Sequence, residues 1–352
     1  MKNVRNTSLD ILRVFAMYTV ILLHVLGSQF FSLQDVNSMW WAKINLFDSG
    51  TRWCVPVFVM ISGALFLDPD KQLNFKNIYL KYILHILEAF FVWSAVYTFI
   101  DMFIMNYSTG MDLKHIMMEF IITVLLKPHY HLWYVYLIVG LYAITPILRV
   151  IIKNCDQMTF KYWIAMMFVM GICVYFLNDF EKINFYIGKA LENANLQFLC
   201  GFTFYFVVGY YVLNYEIHHQ NVIYLLGILG YLFTVVVSQW LSHRAGTNVV
   251  VYDYLYPNIA ITAVAIFVFF VKKVNKIKFS EKTRLCLKEV SDMMFGVYLI
   301  HDLFIMLFNR YGLLIEKIHS LCWAMLVSML IMSVSCIFVW IFRKIPILKK
   351  IT

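Results

Sequence analysis

Asp10, Arg13 and His24 are the residues best placed to do chemistry, because all three interrupt residues 10–31, an apolar run long enough to cross a bilayer. The eleven steps from Arg13 to His24 make about three helical turns, which puts both on one face roughly 16 Å apart along the axis. Asp10, three residues before Arg13, is spaced to pair with it. An ionisable group at bilayer depth costs at least about 2.5 to 3.5 kcal/mol, so residues stacked in this way must face a bundle interior or a wet cavity. Arginine brings a permanent charge and a planar fork suited to phosphate or to a polarised carbonyl. An imidazole that titrates near neutral pH can take a proton from a hydroxyl. The three describe a polar track through a membrane.

Four further places carry polar residues in apolar surroundings. Arg52 opens residues 53–67, a short run that contains Pro56 and Ser62-Gly63, and such a run predicts irregular backbone lining a cavity. Lys81, His85 and Glu88, four and three residues apart, share one helical face; they fit either a snorkelling lysine with a structural His-Glu pair or the entrance of a donor. Lys127 to Tyr134 holds His129, His131 and Trp133, which suits an aromatic belt or the mouth of a site. Two histidines two residues apart on a helix do not share a face, so no metal site is expected from this pair. Tyr298 and His301 are neighbours on a later helix, and His301 is a second histidine inside an apolar run.

The elements that must position these residues follow from the composition. Of 352 residues, 62% are hydrophobic and 14% charged, which describes a polytopic all-α membrane protein rather than a soluble domain. Apolar runs predict about ten spans, at 10–31, 53–67, 79–105, 131–152, 161–178, 197–214, 221–241, 257–273, 293–309 and 320–343. The stretch 112–126, with Lys114, His115 and Glu119, suits one helix at the interface or packed on the bundle rather than an eleventh span. Most of the 29 Lys and Arg residues fall on the side that carries both ends of the chain, so both termini are expected in the cytosol. This distribution also accounts for the net charge of +9 without nucleic acid. The basic stretch from Lys272 to Lys288 fits contact with anionic lipid or docking of an anionic substrate. The seven scattered cysteines lack a CxxC pair and read as packing residues. No cleavable signal peptide, linker or soluble appendage is expected, and a single membrane domain spans 1–352.

Taken in order, several segments resemble the acyltransferase-3 family of integral membrane O-acyltransferases. They are Leu9 to Arg13 followed by His24, Val55-Pro56 with Ile61 to Leu65, His131 to Tyr134 with Thr145-Pro146, Tyr205 with Gly209-Tyr210, and Phe295 to His301. The chain departs from the family at Met294, where a hydroxyl residue is common, and at Asp302, where proline is common. The resemblance implies transfer of an acyl group, most often acetyl, from a cytosolic acyl-CoA to a hydroxyl of a cell-surface glycan or lipid-linked sugar at the plasma membrane. It implies His24 as general base and Arg13 as the donor's partner, with Asp10 orienting Arg13. It also implies supporting roles for Arg52, Ser62, His131, Trp133, Tyr298 and His301, and a donor entrance at Lys81 and His85. The implied donor is acetyl-CoA or another short acyl-CoA, with no metal; the implied partners are membrane lipid and the acceptor, and a partner protein would be of unknown identity. The same intramembrane residues would also serve a transporter or receptor-like domain for a small polar solute such as an amino acid.

Overall fold

Asn6 starts the helix on which the site is built: its Oδ1 accepts from the backbone N–H of Ser8 at 3.0 Å and of Leu9 at 3.4 Å, satisfying two of the free donors at a helix start. Helix α1 then runs from Thr7 to Phe30. Leu12, Ala16, Met17, Ile21, Val25, Leu26 and Phe30 along it are fully buried. The computed structural model describes residues 5–30, 33, 35–71, 73–105, 113–181, 184–188, 201–312 and 320–352. Among these the regular secondary structure is all helix, with no strand.

Helices α2 (Met39–Ser49) and α3 (Cys54–Phe66) follow, then α4 (Leu84–Phe99), extended by π-helical turns at Asn77–Ile83 and Ile100–Met105. Next come α5 (Leu113–Leu126), α6 (Trp133–Asn154), α7 (Gln157–Phe168) and α8 (Val174–Asn178), the last two joined by a π-helical turn at Val169–Cys173. The order ends with α9 (Phe202–Asn214), α10 (Gln220–Ala245), α11 (Pro257–Lys272), α12 (Glu281–Arg310) and α13 (Leu321–Phe342). Among the described residues nine helical segments are long and apolar enough to span a bilayer, and α9 is a shorter apolar helix. Residue 31 of the first predicted run, residue 112 of the interfacial stretch and residues 197–200 of the sixth run lie outside the described residues. The interfacial stretch becomes α5, which packs on α4, where Ser94 Oγ donates to the carbonyl of Val124.

Helix α1 sits in the middle, with α2, α3, α11, α12 and α13 around it. The backbone of residues 53–67 is not irregular as predicted: α3 is a regular helix, and Pro56 lies in its first turn, where its missing N–H costs nothing. The break falls earlier, at residues 50–53, after a helix α2 that the apolar runs do not predict. Gly63 serves close approach instead. A Cβ there would lie 1.7 Å from the Phe206 carbonyl oxygen, and one at Gly209 would lie 2.0 Å from the Met60 carbonyl oxygen, so α3 and α9 cross with their backbones touching.

Candidate active site

Arg13 and His24 open onto one cavity of about 340 Å³, a volume in the range of small-molecule sites. Its wall is mostly aromatic and aliphatic and includes Ser62, His85, His131, Trp133, Tyr134 and Tyr298. At one end Arg13 Nη1 donates to Ser291 Oγ at 2.9 Å and lies 3.8 Å from Asp10 Oδ1. The two oxygens of Asp10 are instead held by the fork of Arg5, at 2.7 and 2.8 Å, and Arg5 also reaches Asp292 Oδ1 at 2.6 Å. Arg5 lies outside the apolar run, and its hydrogen bonds to Asp10 hold the guanidinium pKa above its ordinary value. Arg13, Leu65 and Asp292 also line a second, more polar cavity of about 520 Å³ beside Arg5, Asp68, Lys71 and Asn214. A charged vestibule at the start of α1 therefore meets the aromatic cavity at Arg13.

Around His24 the geometry is one of stacked rings. The imidazole lies over His301 with centroids 5.4 Å apart and meets Tyr130 edge-on at 5.2 Å. His301 Nδ1 is 2.7 Å from the Tyr298 carbonyl oxygen, which can only accept, so Nδ1 carries the proton and Nε2 is left as a bare lone pair. That Nε2 is buried with no hydrogen-bond partner among the described residues. Tyr97 bridges one turn of α12: its hydroxyl donates to the Leu299 carbonyl at 2.8 Å and accepts from the Leu303 N–H at 3.2 Å. Tyr298 donates from its hydroxyl to the His131 carbonyl at 2.5 Å, tying α12 to the turn before α6.

Residues 6–342 match the family model described as an acyltransferase domain, of the acyltransferase-3 type. The chain belongs to this family. It is therefore a membrane acyltransferase, with many apolar helices that make it multi-pass. No curated protein and no solved structure matches it.

Within this acyltransferase domain the fold brings most of the predicted residues to one cavity: Arg13, His24, Ser62, His85, His131, Trp133 and Tyr298 all line it. His301 stands behind His24 rather than in the wall. Asp10 lies 3.8 Å from Arg13, the expected ion pair, but both of its oxygens accept hydrogen bonds from the fork of Arg5, while Arg13 donates to Ser291. Two expectations are corrected. Arg52 is outside the cavity wall, paired to the buried Asp48 and covered by the Tyr252 ring at 4.3 Å. Lys81 is exposed, lies over the Tyr82 ring at 5.6 Å and is outside the cavity wall that His85 joins.

The premise that excluded a metal between His129 and His131 also fails. His129 has extended backbone and residues 130–132 form a single 3-10 turn, so the two Nδ1 atoms come to 3.0 Å. Sequence reasoning missed Arg5, Asp48, Tyr97, Tyr130, Ser291 and Asp292. The spacing of Asp48 and Arg52, four residues apart, was a legible signal for their pair. Tyr97 and Ser291 had none, since only packing between distant helices brings them to the site.

Proposed function

We propose that this membrane acyltransferase moves an acyl group, acetyl in the simplest case, from a cytosolic acyl-CoA to a hydroxyl on a glycan or lipid-linked sugar at the far side of the plasma membrane. One observation carries the reading: Arg13 and His24 line the same cavity, and the charged vestibule joins it at Arg13. In the vestibule Arg13 and Lys71 are available to the phosphates of the donor, while Arg5 is engaged by Asp10 and Asp292; the aromatic cavity beyond suits its pantetheine arm and acyl group. On this reading the donor enters by the vestibule rather than at Lys81, and the start of α1 faces the cytosol.

In the reaction, His24 takes the proton of the acceptor hydroxyl as its oxygen attacks the thioester carbonyl carbon. The tetrahedral intermediate collapses, the C–S bond breaks, and the CoA thiolate leaves and is protonated in turn. Arg13, roughly 16 Å from His24 along α1, holds the donor by its phosphates, so that the thioester at the end of the pantetheine arm reaches His24. His301, stacked on His24, holds the imidazole plane.

The test is release of free CoA by the purified protein in nanodiscs, with acetyl-CoA and without added acceptor, for wild type, His24→Ala and Arg13→Ala. The expected result is slow wild-type release that drops by about 10² to 10⁴ fold in His24→Ala. Full activity in either variant would refute the mechanism, and solute uptake into vesicles without acyl-CoA turnover would favour transport.

A further inference from the structure

Three donor atoms that the acyl transfer does not use converge at the far edge of this site. His129 Nδ1 lies 3.0 Å from His131 Nδ1 and 3.3 Å from Asp302 Oδ2, and His131 Nδ1 lies 3.8 Å from the same oxygen. A triangle with these edges has a circumscribed radius of about 2.0 Å, and a point about half an ångström above its plane is about 2.05 Å from every corner. Zinc binds imidazole nitrogen at about 2.0 to 2.1 Å and carboxylate oxygen at about 2.0 to 2.2 Å, and in a tetrahedral site it sits slightly out of the plane of any three ligands. The spacing is thus that of three ligands around one ion. Two imidazoles and a carboxylate are also a donor set that a divalent transition ion prefers over magnesium or calcium.

The surroundings support the same reading. Asp302 Oδ1 accepts from the Tyr130 hydroxyl at 2.5 Å, which fixes the carboxylate and leaves Oδ2, buried, with no hydrogen-bond partner among the described residues. The other ring nitrogen of His129 faces Asp101 Oδ2 at 3.9 Å, the carboxylate-behind-histidine arrangement of metal sites. The His131 backbone is held by Tyr298. His131 and Asp302 are almost fully buried, whereas the side chains of His129 and Asp101 are 12% and 39% exposed, which leaves an approach for the ion from one side.

We propose that His129, His131 and Asp302 form a zinc site that ties the turn before α6 to α12 at the edge of the catalytic cavity. Its occupancy is independent of acyl-CoA, so its failure and that of the acyl-transfer reading are separately visible. The experiment strips the full-length protein in detergent with a chelator, dialyses it against micromolar free zinc, and counts metal per chain by elemental analysis. Wild type is expected to hold one zinc per chain. Asp302→Asn and His129→Ala are expected to bind at least about 100-fold more weakly, and His218→Ala, an exposed histidine elsewhere, is expected to bind as wild type. Cobalt(II) in place of zinc should give visible d–d absorption in wild type and His218→Ala but in neither ligand variant, and added zinc should raise the melting temperature of wild type but of neither ligand variant. His129→Ala, at the more exposed ring, serves if Asp302→Asn does not elute as a monodisperse peak. A wild type that takes up no stoichiometric zinc, or ligand variants that bind like wild type, would overturn the proposal.

Discussion

Three helical glycines let the close crossing of α3 and α9 be tested by substitutions with opposite signs. Ordinary van der Waals contact of a Cβ begins near 3.4 Å, yet a methyl at Gly63 would lie 1.7 Å from the Phe206 carbonyl oxygen and one at Gly209 would lie 2.0 Å from that of Met60. The obstructing atoms are backbone, so the two helices must separate by more than an ångström. Gly209→Ala should therefore destabilise by about 3 kcal/mol, the upper end of the range for overpacking. Gly140 is on an exposed stretch of α6, and a methyl at this position would have nothing within 4 Å of it. Gly140→Ala should stabilise by about 0.5 to 1 kcal/mol, because alanine loses less backbone freedom in a helix than glycine. The expected gap of about 4 kcal/mol is about a thousandfold in the folded-to-unfolded ratio. Thermal unfolding and titration with denaturing detergent both read it. Because Val55, Phe58, Ser62 and Phe66 of α3 line the cavity, Gly209→Ala should also lower CoA release, whereas Gly140→Ala should not. A Gly209→Ala variant as stable as wild type, or a Gly140→Ala variant equally damaged, would refute the crossing as described.

Asp48→Asn should cost about 3 to 5 kcal/mol by leaving Arg52 buried without its counter-charge, while the double replacement Asp48→Leu with Arg52→Met should come close to wild type in unfolding experiments. If the double variant is as damaged as the single one, the pair does more than match charge. Tyr97→Phe removes two hydrogen bonds to the backbone of α12 and should cost about 2 kcal/mol in thermal stability; an unchanged stability would mean that these two bonds add nothing to those within the helix. Arg149 donates to the carbonyls of Pro69, Lys71 and Leu73, so Arg149→Ala should speed proteolysis at residues 68–73 while leaving the melting of the bundle nearly unchanged. Cleavage at the wild-type rate would show that the loop is held by something else.

Much of the architecture is legible in the chain because a bilayer imposes a coarse rule: a helix must be apolar over its whole length, and any charge in it stands out. The apolar runs, the lone Arg13 and His24, and the ordered segments of an acyltransferase domain can all be read without coordinates for that reason. What periodicity cannot supply is the meeting of residues from different helices and the phase of a helix that is not regular. Both oxygens of Asp10 accept from Arg5, which lies just before α1 and whose fork reaches them. Lys81 stays outside the cavity that His85 lines, and spacing alone could not tell which of the two would enter it. His129 and His131 met because they sit on a turn rather than on a helix. Asp48 and Arg52 show the intermediate case: a spacing of four marked them as partners, but only the folding of residues 39–49 into a buried helix decided that the pair would be spent on structure. The sequence determined by itself which residues were too polar for their surroundings, since that depends on composition and length alone. Only the tertiary structure decided which of those residues face one cavity, which neutralise each other, and which converge as ligands, since that depends on how α12 and the turn before α6 pack against α1.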